Sequence, residues 1–541
     1  LSEKIIDPWR QGIASGWKVM DGAAQREDLR LSADVVIVGS GAGGGIAAEV
    51  LSQAGLDVLI LEEGGLRSSS DFRLSEAKAY PELYQESAAR QTVDKGISIL
   101  QGRTVGGGTV VNWTSSFRTP ADTLNWWRTE HGLAALSEEA MRPWFEKAER
   151  RLGIAPWQGE PNANNLVLER GCLALGLRHA RISRNVRGCW NLGYCGMGCP
   201  TNAKQSMLVT SIPGALEKGA RLLTRARVDS LSVDAGRQRI SEARISLLSA
   251  DGLTPTGRKA TVAAAHVVLA AGAIGTPAVM LRSGLADHAG LTGKRTFLHP
   301  VALSAALMPE RVEPFNGAPQ TVYSDHYMHT QPLDGPLGFK LEVPPIHPLL
   351  AGVTFPGMGE AQAGLLRRFP NLHATLALLR DGFHKESRGG AVQLRADGSP
   401  ALAYPLNDVL WEGVRRSWLA MAELQFAAGA KMVFPLHERA RPATSWKQAR
   451  EIIGGLPLEP LRAKLVSAHV MGGMAMSDDP ARGVVDDLGR HWSWRNLTVV
   501  DGSVFPTSIG ANPQLSIYAF AWRAAAHLAQ ALAPRSSPSV S

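Results

Sequence analysis

The run Ala33-Asp34-Val35-Val36-Ile37-Val38, leading straight into Gly39-Ser40-Gly41-Ala42-Gly43-Gly44, constrains this chain more than any other feature. A short segment dominated by β-branched residues predicts a buried parallel strand, and residues 46–53 predict a helix after it. Gly39, Gly41 and Gly44 thus form G-x-G-x-x-G in a strand-to-helix context. The first glycine permits a tight turn, the second lets the backbone approach a pyrophosphate, and the third lets the helix lie close on the strand. Free N–H groups and the dipole at the helix N-terminus, around Ala42 and Gly43, favour the anion. A second apolar run, 56–61, ends in Glu62-Glu63, where a carboxylate can accept hydrogen bonds from ribose hydroxyls. Together these features predict a dinucleotide-binding α/β fold. They do not separate NAD from FAD.

A chain of 541 residues has room for two or more domains, or for one large interleaved unit. The net charge of +8 is mild at this length, and no stripe of Lys and Arg with interleaved aromatics marks a nucleic-acid surface. The densest patch, residues 437–441, reads as a solvated loop. No signal peptide is legible in residues 1–10, although Leu1 is not methionine and an earlier leader stays open. The longest apolar stretch, 261–281, contains Gly272, Gly275 and Pro277, so it reads as strand, turn and helix instead of a membrane span. A soluble protein, cytoplasmic or peripheral to a membrane in preference to secreted, is the expectation. Further strands are expected at 265–269 and 497–500, and a helix at 514–532 before a Pro/Ser tail. The middle, 301–460, reads as a mixed sheet with helices, including a strand-turn-strand around Ala396-Asp397-Gly398.

Four blocks carry a resemblance to a known family. Gly102-Arg103-Thr104-Val105-Gly106-Gly107-Gly108-Thr109, with Asn112-Trp113 after it, resembles the first signature of the glucose–methanol–choline (GMC) oxidoreductases. The run from Gly272 through Pro277 to Leu285 resembles the second, with Ala286 where a glycine usually stands. Val500-Asp501-Gly502-Ser503 and Asn512-Pro513 resemble the segment that closes around the flavin. The resemblance implies FAD as cofactor, contacted also by Val228 and Ala271, in an α/β architecture. In it a Rossmann-like FAD-binding domain (33–118, 205–300 and 461–535) is interleaved with an α+β substrate domain containing a mixed sheet (119–204 and 301–460). Residues 1–32 are then an N-terminal extension and 536–541 a tail. Relatives with a covalent flavin carry a histidine at the position of Asn112, so non-covalent FAD is expected.

The resemblance also places His469, in His469-Val470-Met471-Gly472, opposite the flavin with Asn512 as partner, in the style of cholesterol and pyranose oxidases. Hydride leaves an alcohol carbon for flavin N5 as the hydroxyl proton departs, so a neutral imidazole must reach that oxygen. An amide can orient the same oxygen without competing as a base. His299, before Pro300, is expected to be structural or cofactor-adjacent. The implied function is oxidation of a small-molecule alcohol, hydrophobic to judge from the apolar middle, with oxygen, a quinone or a cytochrome as electron acceptor. The same fold also hosts lyases and a decarboxylase. Cys189, Cys195 and Cys199 resemble the cysteine segment of membrane-linked FAD glucose dehydrogenases, which implies an iron–sulfur cluster. A disulfide, or three reduced thiols in a glycine-rich loop, are the alternatives. Cys172, in an apolar helix-like stretch, is expected in the core.

Overall fold

The computed structural model describes residues 6–285, 287–355 and 359–532. The tail 533–541, the first five residues of the extension and Ala286 lie outside the described residues. The first sheet has a parallel core in the order Lys18–Asp21, Arg221–Thr224, Val58–Leu61, Leu29–Val38, Pro255–Leu269. Arg239–Leu248 and Ala226–Asp234 extend it antiparallel, and Leu497–Val499 runs parallel beside the end of Pro255–Leu269. Core strands in such a sheet are covered on both faces, which is why Val35 to Ile37 and Val58 to Ile60 are unbroken apolar runs and fully buried. The helices Ala42–Gln53 and Gln514–Leu532 pack against each other over it.

Residues 6–32 of the lead-in pack into this unit. Lys18–Asp21 is the edge strand of this sheet, Leu29 already belongs to the central strand, and buried Trp9 donates its Nε1–H to Leu208 O at 2.8 Å. Its sequence looks peripheral because residues 29–34 alternate between exposed and half-buried before the strand dives into the core.

The second sheet runs Ile97–Ile99, Leu465–Ser467, Val301–Leu307, Leu372–Leu379, Phe339–Glu342, Val322–Ser324, Ala180–Arg181, with Met432–Pro435 also on Val301–Leu307. Two of its strands, Ile97–Ile99 and Leu465–Ser467, come from segments assigned by sequence to the FAD-binding domain. Three-residue strands carry no readable period, so their sheet could not be foreseen. Pleating gives Val301–Leu307 two apolar faces. Ala302, Ser304 and Ala306 face the helix Asp408–Ala427, where Ser304 and Gln425 exchange two hydrogen bonds and Trp418 Nε1–H reaches Leu303 O. Val301, Leu303, Ala305 and Leu307 face the other way, joined by Leu372, Ala374, Leu376 and Leu378 of the neighbouring strand. A small sheet of Lys294–Phe297, Gly390–Leu394, Pro400–Ala403 and Met471–Gly472 contains the hairpin foreseen at Asp397-Gly398. In the patch read as a solvated loop Glu438 and Arg439 are exposed, but His437 is buried, with Nε2 2.8 Å from Pro457 O.

Two buried histidines tie this framework together. His266 bridges to Thr498 Oγ1 at 2.9 Å, and His373 lies between Asn164 Oδ1 and Thr375 Oγ1. Burial lowers their pKa values, to about 4 for His266 and about 3 for His373. Below about pH 6.5 the unfolded chain binds protons that the folded chain refuses, so stability falls with acidification until the folded values are reached. Each contributes at most about 1.4 kcal/mol per pH unit across that window. Melting temperatures measured from pH 8 to 4.5 should hold above about 6.5 and drop below it. The drop should be shallower in His373→Gln.

Candidate active site

At the end of the central strand, Gly39 turns with φ +98°, and a Cβ there would lie 2.4 Å from Ala270 O. A Cβ at Gly44 would meet Gly39 O at 2.0 Å, and one at Gly43 would meet Val500 O at 1.9 Å. These three glycines let backbone pack on backbone. Gly41 is different: with φ −68° it is unstrained, and only Gly107 Cα comes within 4 Å of its Cβ position. Gly41 therefore opens onto a cavity of about 680 Å³, with the N-terminus of Ala42–Gln53 pointing into it.

Every residue singled out above for FAD binding or catalysis lines this one cavity, except Gly44, which lies beneath it. Glu62 and Glu63 have different jobs. Both Glu62 oxygens are taken: Oε2 accepts from Ser40 N (3.0 Å) and Ser40 Oγ (2.5 Å), and Oε1 from Gly64 N (2.8 Å). Burial pushes the Glu62 pKa up, and the Ser40 and Gly64 bonds pull against it. Glu62 thus fastens the glycine turn while still lining the cavity, and beside it the half-exposed Glu63 pairs with Arg103 Nε at 3.1 Å. Val228 lines the wall from the strand Ala226–Asp234, its carbonyl accepting from Arg282 Nη2. Asp501 holds the far wall, accepting from Gly272 N, Thr276 Oγ1 and Ser503 N, while Ala271 donates its N–H to Thr276 Oγ1.

The loop after Gly107 (φ +53°) and Gly108 brings Asn112 and Trp113 into the cavity. Asn112 Nδ2 donates to Gln514 Oε1 at 2.7 Å, and Gln514 Nε2 donates to Ser115 O, Ser116 Oγ and Asn185 Oδ1. Gln514, the first residue of its helix, thus ties the helix start that follows Asn512 and Pro513 to this loop, a role that helix-start chemistry alone does not announce.

His469 and Asn512 both line this cavity, and the charge of Lys340 reaches both. Burial, assisted by the positive charge of Lys340, lowers the His469 pKa to about 3, so the ring is neutral. Its Nδ1 lies 3.4 Å from Nδ1 of fully buried His299, whose Nε2 accepts the backbone N–H of Gly510 at 3.0 Å. A backbone N–H only donates, so the His299 proton sits on Nδ1 and points at His469. His469 then carries its own proton on Nε2, the ring atom left to the cavity. Behind Asn512 lies a buried pair unnoticed in the sequence, Lys340 and Glu342. The cavity continues along the outer face of the second sheet, over Val301, Leu303, Leu376 and Leu378, beneath Ile346, Ala351 and Phe355.

Comparison with known proteins matches this geometry. The GMC oxidoreductase family profile covers residues 80–301 and 386–521, and an FAD binding domain profile covers 34–95. An uncharacterized GMC-type oxidoreductase of Mycobacterium tuberculosis is 33% identical over 492 residues, 90% of this chain and 74% of that one. This chain belongs to the GMC oxidoreductase family. A long-chain-alcohol oxidase of Arabidopsis thaliana is 28% identical over 512 residues, 91% of this GMC oxidoreductase and 68% of the relative. The crystal structure of pyridoxine 4-oxidase from Mesorbium loti shares the fold at TM-score 0.65 and 19% identity, covering 91% of this chain and 98% of that one.

The protein is therefore an FAD oxidoreductase, and its cavity fits that cofactor: an open backbone cradle at Gly41 and Gly108, a helix N-terminus suited to a pyrophosphate, and the Glu62 and Glu63 carboxylates as acceptors suited to a ribose. The cysteine segment does not fit a cluster. All four cysteines are free, and among the described residues no group of three or more His, Cys, Asp or Glu side chains converges to hold a metal. Cys195 Sγ instead accepts a long 3.8 Å contact from Arg184 Nη2, and Cys199 Sγ pairs with Thr201 Oγ1. The loop is pinned by fully buried Lys204, which donates to Val110 O, Asn112 O and Cys195 O. A C-x3-C spacing brings cysteines close in sequence, but the short helical turn Cys195–Met197 between them does not converge them on one centre. Cys172 is core, as expected. Among the described residues no helix is long and apolar enough to cross a membrane.

Proposed function

We propose that this GMC oxidoreductase oxidises a hydrophobic, chain-like alcohol to its aldehyde or ketone. The observation that carries the reading is the apolar wall of Val301, Leu303, Leu376 and Leu378, which leads away from His469 and Asn512 within one cavity. A sugar would leave its hydroxyls unpaired there at about 1–3 kcal/mol each, whereas an alkyl chain gains by burial. The long-chain-alcohol oxidase relative supports the same substrate class.

Bound FAD supplies the hydride acceptor at N5. Asn112 offers no imidazole for a covalent link, and non-covalent contacts hold the cofactor. Asn512 orients the substrate oxygen, and His469 takes the hydroxyl proton at Nε2. Because the resting tautomer holds a proton on Nε2, that step follows an exchange. In the form that accepts the hydroxyl proton, His469 carries its own proton on Nδ1, donated to His299 Nδ1, and His299 carries its own on Nε2, so the two rings hold the same number of protons in both forms and the Gly510 N–H bond to Nε2 is given up. One hydrogen bond of about 1 kcal/mol is lost, which is small beside a catalytic barrier. Electrons then pass to oxygen, a quinone or a cytochrome.

The test is anaerobic flavin bleaching by a homologous series of primary alcohols. Each methylene buried on the wall contributes about 0.8 kcal/mol, so the apparent second-order rate of reduction should rise about fourfold per carbon until the wall is covered. Reoxidation of the bleached enzyme by oxygen, quinones or a cytochrome identifies the acceptor in the same cuvette. A sugar or short polyol bleaching faster than a C8–C12 alcohol would end the hydrophobic reading.

A further inference from the structure

We propose that the buried Lys340–Glu342 pair is a positioning device: it fixes the Asn512 amide in one of its two flip states beside His469 and holds a positive charge behind both histidines. The proposal rests on the reading of Asn512 as the group that orients the substrate oxygen.

Lys340 and Glu342 are two apart on the strand Phe339–Glu342, so both side chains leave the same face of the sheet. That face is fully covered, leaving Lys340 3% and Glu342 0% exposed, with the ammonium 2.8 Å from Glu342 Oε1. The ammonium also lies 3.0 Å from the centre of the Phe117 ring and 4.9 Å from that of Tyr323. As a source of stability such a pair is a poor choice. Two charges lose their hydration, and apolar residues of similar volume commonly stabilise as well or better. Its retention calls for a use of its charges, and the other side chain hydrogen-bonded to both is Asn512. Lys340 Nζ donates to Asn512 Oδ1 at 2.9 Å, and Asn512 Nδ2 donates to Glu342 Oε2 at 3.1 Å.

An amide has the same shape in either flip state, so its orientation is set by its partners. Here the opposite orientation would turn an NH₂ toward the ammonium and an oxygen toward the carboxylate, two repulsive contacts in a medium that screens poorly. One state is left. It reserves one N–H and one Oδ1 lone pair of Asn512 for the cavity. The groups facing the histidines come from two strands. Lys340 faces both rings, with Glu342 on its far side from the same strand. Arg380, paired with Asp122, and Asp381, which accepts the N–H groups of Leu298 and His299, stand beside His299 at the end of Leu372–Leu379. Lys340 is the one charge among these that bears directly on His469, and it adds to burial in keeping that ring from protonating.

The test compares FAD-loaded wild type with Lys340→Met/Glu342→Leu, which replaces the pair by apolar side chains, with Asn512→Ala, and with the triple variant. Retained flavin absorbance and melting temperature show that each folds. Flavin reduction in the pair variant should slow about tenfold, the loss for one misdirected hydrogen bond to a reacting oxygen of about 1.4 kcal/mol. Adding Asn512→Ala should then slow it no further, since the pair acts through that amide. A merely structural pair would give additive losses. Lys340→Gln/Glu342→Gln keeps donor and acceptor without the charges. It should hold the rate within about threefold while the acid limb of the pH profile moves up by about half a unit or more, and this variant decides the matter should the apolar one lose FAD. Ring titration of His469 in ¹³C-histidine-labelled protein reads the same displacement without turnover. If no alcohol bleaches even the wild type, the functional reading fails and the titration alone decides the pair. An unchanged rate with an unshifted His469 titration, or additive losses, overturns the proposal.

Discussion

His469→Ala should retain FAD and slow flavin reduction by alcohol by roughly 10²–10⁴-fold, the loss expected when a positioned general base is removed. The ring lines the cavity, and its removal leaves the glycine cradle and the Glu63 side untouched, so the protein should stay yellow. The resting tautomer makes a second substitution informative. If His469 served only as an N–H donor from Nε2, glutamine could replace that donor and recover most of the rate. A base cannot be replaced by an amide, so His469→Gln should stay within about tenfold of the alanine variant. The sign of the pH dependence follows from the lowered pKa of about 3. A neutral ring is the working form, it persists through the physiological range, and it is lost only as pH falls toward that value. Wild-type reduction should therefore be flat from pH 8 to 5, where an ordinary histidine would already have lost most of its neutral form. Stopped-flow reduction of His469→Ala at the wild-type rate would make this histidine structural and remove the mechanism.

The parts legible in the sequence are those where backbone geometry dictates the residue. Gly39, Gly43 and Gly44 are glycine because a Cβ would strike a carbonyl, and Gly41 because its Cβ would project into the cradle. That pattern survives in one dimension. Glu62 and Glu63 sit next to each other at the end of one strand, and only the three donors converging on Glu62 show which of them fastens the glycine turn. Phe339-Lys340-Leu341-Glu342 alternates apolar and charged residues as a solvated strand would, yet Lys340 is 3% and Glu342 0% exposed. Burial of a polar alternation depends on what the rest of the chain lays over it, which no local pattern carries. Val301 to Leu307 was opaque for the opposite reason. Both of its faces are apolar, so nothing local separates the residues that meet the helix from those that line the cavity. His299 could be seen as cofactor-adjacent, but its contact with His469 joins residues 170 positions apart.

Gly41, set against Gly43 and Gly44, gives the sharpest separation of folding from cofactor binding. Gly41→Val should fold and purify without colour. Its φ of −68° suits any residue, and its Cβ would meet no protein atom nearer than Gly107 Cα at 4.0 Å, so the apo fold has nothing to resist. The added methyls occupy the space into which the helix N-terminus points, where the pyrophosphate is expected to rest. An anion pushed out of reach of two N–H donors loses two charge-assisted bonds of about 1.5–3 kcal/mol each, a 10²–10⁴-fold weaker FAD complex. Gly43→Val and Gly44→Val should behave otherwise. Their Cβ atoms would lie 1.9 Å from Val500 O and 2.0 Å from Gly39 O, and neither backbone segment can withdraw without opening the strand–helix packing. Those two chains should be insoluble or unfolded whether or not FAD is supplied. Equilibrium titration of apo Gly41→Val with FAD, beside its circular dichroism spectrum, reads both halves at once. Wild-type FAD affinity in a folded Gly41→Val would move the pyrophosphate off this turn, and an unfolded Gly41→Val would give Gly41 the same packing duty as its neighbours.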